Sequence, residues 1–149
     1  IDSRSPPEII FDQGIGDLFS PRIAGNFANT DIIGSIEFAT KLAGAKLVVV
    51  MGHTECGAIR GACDNAQLGN LTHTLSNLMP AVYAVKDVKG DRNSQNSAFV
   101  QKVADENVRL TVKTLTERSQ ILKDLVAANQ LMVVGAMHSV ATGGVDFFS

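Results

Sequence analysis

Two short continuous apolar runs, KLVVVMG at 46–52 and LMVVGAM at 131–137, frame the middle and end of this chain. Both are rich in β-branched residues, the pattern of a strand covered on both faces. Between them lie stretches with helical spacing at 57–66, 71–86, 97–117 and 119–128, the last opening on Ser119 as a cap. Strands separated by helices cannot pair as hairpins, so the pattern implies an α/β fold with a parallel or mostly parallel sheet flanked by helices. In such sheets ligands collect at the carboxyl ends of the strands. His53 stands at one of those ends.

The rest of the chain is read in the same way. SPPEIIFDQG, 5–14, predicts a short helix with Ser5 and Glu8 as a capping box and Gly14 at its exit. DLFSPRIAG, 17–25, predicts a strand that Pro21 confines to a sheet edge or bulge. DIIGSIEFATKLA, 31–43, predicts a helix stopped by Gly44, and VKGDRNSQN, 88–96, a surface loop. With 149 residues the chain is expected to be a single domain, 1–149. No internal repeat or low-complexity tract interrupts it.

Composition narrows the function. A formal charge of −2 without a Lys/Arg cluster gives no electrostatic case for nucleic acid or an anionic membrane surface. No apolar run approaches the roughly 18 residues of a spanning helix, so a soluble chain is expected. Its compartment is left open between cytoplasm and periplasm, because a chain that begins IDSR without Met reads as cut or processed. Two cysteines, Cys56 and Cys63, are too few for a disulfide scaffold.

Within VVVMGHTECGAIRG, 48–61, His53 and Cys56 are three positions apart where a strand gives way to a helix. Imidazole and thiolate are both good zinc ligands, and this spacing suits a metal. Taken alone, however, H-x-x-C suits a small buried thiol beside a packed imidazole at least as well. Gly52 and Gly57 allow a tight turn around the pair, and a helix beginning near Cys56 would favour its thiolate. Cys63, two helical turns further along, reads as core. In the opening IDSR, Asp2 and Arg4 share one side of an extended segment, so the guanidinium would hold the carboxylate ionised. A solvated surface pair is the plainer alternative.

Together, DSR-x-P-P-E at 2–8, R-x-A-G-N at 22–26, S-I-E-F-A at 35–39, G-H-T-x-C-G at 52–57 and G-A-M-x-x-V-A-T-G at 135–143 closely resemble the β-class carbonic anhydrases, in order and along nearly the whole chain. The resemblance implies reversible hydration of carbon dioxide to bicarbonate and a proton through a zinc-bound hydroxide. It implies His53 and Cys56 as metal ligands and Asp2 and Arg4 as catalytic residues. The family's remaining Zn2+ ligand is a cysteine immediately before the position of Ile1. The family's N-terminal arm and most of its first central strand would likewise lie upstream, so the resemblance implies an N-terminally incomplete domain.

The resemblance also implies a small-molecule substrate (CO2/bicarbonate) and a homodimer or tetramer, for which Val145 and the terminal FFS would suit an interface. Two rival readings stand beside it: hydrolysis of carbonyl sulfide or carbon disulfide on the same scaffold, and a metal-free non-catalytic fragment or binding module. His138 and Ser139 depart from the Tyr-Asp of many relatives. Arg22 matches an anion contact of some relatives, and bicarbonate regulation is left undecided.

Overall fold

The computed structural model describes residues 1–148; Ser149, the end of the FFS tail, lies outside them. Both apolar runs are strands, β1 (Leu47–His53) and β2 (Met132–His138). They pair in parallel from Leu47 opposite Met132 to His53 opposite His138. A short strand β3 (Val145–Phe147) returns antiparallel along β2, giving a three-stranded sheet in the order β1-β2-β3. The α/β architecture expected from the sequence is therefore present.

Seven α-helices accompany the sheet among the described residues: α1 (Pro7–Ile10), α2 (Thr30–Glu37), α3 (Gly57–Cys63), α4 (Gly69–Ser76), α5 (Met79–Ala84), α6 (Ser97–Arg118) and α7 (Gln120–Ala127). A π turn over Phe38–Leu42 continues α2. The longest, α6, buries Phe99, Val100, Val103, Ala104, Asn107, Val108, Thr111 and Leu115 at helical spacing. That stripe faces the sheet, which explains two glycines. A Cβ on Gly52 would come within 2.8 Å of Val108 Cγ2, and one on Gly135 within 2.9 Å of Val108 Cγ1. Gly52 thus serves close helix-on-strand packing, and the left-handed residue that bends the following turn is Glu55 (φ 56°).

Some sequence expectations are corrected. Residues 17–25 form no strand: Pro21 has no N–H to offer, and a cleft separates this segment from β1, so no ladder is within reach. The helix read over 5–14 is a single turn whose cap position is Pro6, without a side-chain cap; Ser5 turns inward instead. The helix read over 71–86 is two, α4 and α5. Pro80 sits in the first turn of α5, where its missing N–H costs nothing. Ser119 does cap α7, accepting from Leu122 N–H at 3.1 Å.

The loop that carries Arg22 is fastened to α6 by two buried side chains, Asn107 and Thr111, and by the exposed Arg118. Asn107 Nδ2 donates to the carbonyls of Gly25 (2.8 Å) and Asn26 (3.2 Å), Thr111 Oγ1 to Asn26 (3.0 Å), and Arg118 Nη1 to Ala28 (2.9 Å). Between this loop and the outer edge of β1 runs a cleft of about 910 Å3. Its walls are largely apolar, with Val48, Val50 and Ile36 among them, and Ile1, Asp2, His53 and Cys56 line it too. Asn26 Nδ2, also on its wall, is buried without a hydrogen-bond partner. No helix among the described residues is long and apolar enough to cross a membrane.

Candidate metal centre

His53 is the last residue of β1, and Cys56 the residue that precedes the first turn of α3. The intervening turn folds the chain back so that ring and thiol face one another. His53 Nδ1 donates to the Thr54 carbonyl at 2.9 Å, which fixes the proton on Nδ1 and leaves the Nε2 lone pair pointing outward when the ring is neutral. The orienting acceptor that the sequence could not supply is thus a main-chain oxygen one residue away.

Contact with Cys56 raises the imidazole's proton affinity, against an opposing effect of burial. Burial likewise acts to raise the Cys56 pKa. It is outweighed by the hydrogen bond with His53 and the backbone N–H groups of Ile59 and Ala58, so the thiol lies below its ordinary value. A thiol that ionises readily beside an imidazole with a fixed tautomer is a soft-donor pair suited to zinc. Cys63 is different: buried among apolar neighbours on α3, its thiol is pushed up to about 11, consistent with core packing.

Asp2 closes the site from the other side. Its Oδ2 lies 3.5 Å from His53 Nε2. Arg4 engages both carboxylate oxygens, Nε on Oδ1 at 2.9 Å and Nη2 on Oδ2 at 2.7 Å, while the Arg4 main-chain N–H adds a third bond to Oδ1 at 2.9 Å. These contacts, led by the Arg4 side chain, hold the carboxyl far below the usual carboxylate range. The sequence reading paired the right residues through the wrong geometry. Residues 2–5 form a turn, closed by Ser5 N–H on the Asp2 carbonyl at 3.2 Å, and not an extended segment.

Four further residues, not singled out for these roles in the sequence, hold that turn. Arg22 Nη2 donates to the carbonyls of Asp2 (2.6 Å) and Ser5 (3.2 Å). Arg4 reaches Glu55, with Nη2 on its carbonyl at 3.4 Å and Nη1 at 3.8 Å from Oε2. Ser5 Oγ is hydrogen-bonded to His138 Nδ1 at 3.1 Å. His138 is buried at the end of the central strand, and burial lowers its proton affinity. A backbone carbonyl leaves no signature in composition or spacing, so the arginine roles had no signal to find, and the serine's partner lies 133 positions away.

The His53–Cys56 pair has the right donor chemistry for zinc, but it supplies two ligands. No group of three or more His, Cys, Asp or Glu placed to hold a metal ion occurs among the described residues. The Ile1 amino group lies close enough to Cys56 and Asp2 to feel their charges.

An imidazole, a thiol and an arginine-clamped carboxylate thus meet at the carboxyl end of β1 in an α/β sheet. The carbonic anhydrase family model matches residues 1–145, and the chain belongs to that family, in its β class. It is 33% identical to Carbonic anhydrase 2 of Mycobacterium tuberculosis over 142 residues, 95% of this chain and 68% of that protein. With the carbonic anhydrase of Mycolicibacterium smegmatis it shares 31% identity over 153 residues, 99% of this chain and 71% of the relative. The fold superposes on a β-carbonic anhydrase of Aspergillus fumigatus with a TM-score of 0.85 at 27% identity, covering 99% of this chain and 71% of the other. In fold alone it matches a tetrameric β-carbonic anhydrase of Sordaria macrospora, TM-score 0.83 at 23% identity. Family membership implies zinc as the cofactor.

Proposed function

We propose that this chain carries the active site of a zinc-dependent carbonic anhydrase, hydrating carbon dioxide reversibly to bicarbonate and a proton, with His53 and Cys56 as metal ligands. The observation that carries the reading is the placement of Asp2 Oδ2 3.5 Å from His53 Nε2 while Arg4 holds both of its oxygens. A solvated surface pair has no reason to face a histidine with a fixed tautomer beside an acidified thiol.

His53 and Cys56 would hold zinc, which would supply a Lewis acid able to lower the pKa of water toward neutrality. The protein's own groups then have separable tasks. Asp2, kept ionised, accepts a hydrogen bond from the nucleophile and so directs its lone pair. Arg4 occupies the carboxylate oxygens and so keeps Asp2 from turning to the metal as a ligand itself. Thr54 fixes the ring of His53. Bicarbonate, once formed, leaves past Arg4 and Arg22. The further donor expected of the family is a cysteine, on the side of the site where the Ile1 amino group feels the charges of Asp2 and Cys56.

A homodimer or tetramer is the assembly we propose, in keeping with the tetrameric fold neighbour. The reading is tested by stopped-flow hydration of carbon dioxide on the full-length zinc-loaded protein, run beside carbonyl sulfide and carbon disulfide. Turnover of carbon dioxide above both sulfur analogues supports it, and turnover of a sulfur analogue alone refutes it.

A further inference from the structure

The turn bearing Asp2 has anchors of two kinds. Arg4 and Arg22 hold it through long side chains, and that of Arg4 is nearly half exposed. Ser5 holds it through a short buried one: Ser5 is 7% exposed, His138 4%, and their Oγ and Nδ1 lie 3.1 Å apart. Long exposed side chains reorient easily, whereas a buried short hydrogen bond with no competing water sets position. Ser5 also closes the turn through its N–H on the Asp2 carbonyl. Wherever Ser5 is fixed, the Asp2 backbone follows.

His138 reaches the other half of the site as well. Its main-chain carbonyl accepts from Thr54 N–H at 2.9 Å, and the Thr54 carbonyl accepts from His53 Nδ1. Its register partner across the parallel ladder is His53. One buried residue therefore ties the turn bearing the carboxylate, through its side chain, and the peptide orienting the imidazole, through its backbone.

We propose that His138 is a positioning residue, whose bond to Ser5 sets the Asp2 carboxylate against His53. This rests on the functional reading above for its catalytic consequence, though the anchoring itself does not. Misplacement by about 1 Å at a reacting centre can cost on the order of 100-fold in rate, so an anchor removed from the chemistry can be felt there.

The test uses His138→Leu, which fills the space without a polar atom, His138→Asn, which restores one near the position of Nδ1, Ser5→Ala, and the Ser5→Ala/His138→Leu double variant. Amide hydrogen exchange on the metal-free protein reads the anchoring directly. The Arg4 and Ser5 amides, bonded to Asp2, should exchange about 10-fold faster in His138→Leu and Ser5→Ala, as expected for loss of one local hydrogen bond. Thr54, bonded to the backbone of His138, should keep its protection. The double variant should go no further than either single, and His138→Asn should recover most of the protection.

On the zinc-loaded protein, kcat should fall by a similar factor in both single variants at unchanged KM and zinc content. Unaltered exchange at Arg4 and Ser5 in His138→Leu overturns the proposal, as do losses that multiply in the double variant, no recovery in His138→Asn, or loosened exchange with unchanged kcat. Should His138→Leu fail to fold, Ser5→Ala, which removes a single oxygen, decides the same points. A parent protein inert toward carbon dioxide would refute the functional reading, while the exchange pattern would still decide the anchoring.

Discussion

Arg4 meets Asp2 fork to fork, with Nε on one carboxylate oxygen at 2.9 Å and Nη2 on the other at 2.7 Å. Two parallel charge-assisted bonds fix a plane as well as a distance. That plane leaves Oδ2 beside His53 Nε2 at 3.5 Å. The fork therefore orients the carboxylate within its own turn and keeps it charged at once.

Asp2→Asn preserves the size of the side chain and removes its charge. Zinc content should be unchanged and kcat for carbon dioxide hydration should fall by about 100-fold or more, the usual scale for a group acting on a proton in the transition state. Stopped-flow hydration with parallel elemental analysis checks it. A near-normal rate would remove Asp2 from the mechanism.

The Arg4 clamp has a signature in acid. Because the folded Asp2 pKa is depressed below the unfolded value of about 3.9, its contribution to stability is complete above that pH and is lost as pH falls toward the folded pKa. Metal-free parent and Arg4→Ala should differ most in urea midpoint near pH 6, and the gap should narrow as pH drops below about 4. A gap that widens on acidification would have the wrong sign. Arg4→Lys should behave like Arg4→Ala in activity, since an ammonium cannot form the fork.

The two thiols should separate chemically. Cys56 is acidified by His53 and the N–H groups of Ile59 and Ala58 despite its burial, while burial pushes Cys63 up to about 11. With zinc removed, a disulfide reagent at pH 8 should modify one thiol in the folded protein and both after unfolding. Cys56→Ser should abolish the first reaction, and its persistence in that variant would reverse the assignment.

Much of this was legible from residues alone, and the reason differs by element. The runs at 46–52 and 131–137 read as strands because each is apolar on both faces and short, and both are strands of the sheet. His53 and Cys56 could be paired because the turn joining them is local. Residues 17–25 have strand-like composition but no ladder partner, a property of the whole fold that no local pattern encodes. Ser5 looked like a helix cap since capping residues and buried hydrogen-bonding serines are chemically the same. Its partner His138 is 133 positions away. Arg22, Thr54 and His138 act on or through backbone carbonyls, which every residue possesses.

Gly25 tests the scaffold that positions Arg22. Its φ is +86°, and a Cβ there would fall 2.5 Å from Leu78 Cδ1, a fully buried side chain. Gly25→Ala should destabilise the protein by about 3 kcal/mol, from backbone strain and overpacking together. Denaturant unfolding checks this, and a change within about 0.5 kcal/mol, typical of inert surface sites, would show that the loop relaxes freely.

The account stands on a metal gripped by His53 and Cys56, and zinc content per chain measures that most directly. Elemental analysis of the full-length protein should give about one zinc per chain, with His53→Ala and Cys56→Ser each purifying nearly metal-free while still folded, because removing one of so few ligands leaves too weak a grip. Parental zinc content in both variants would contradict it.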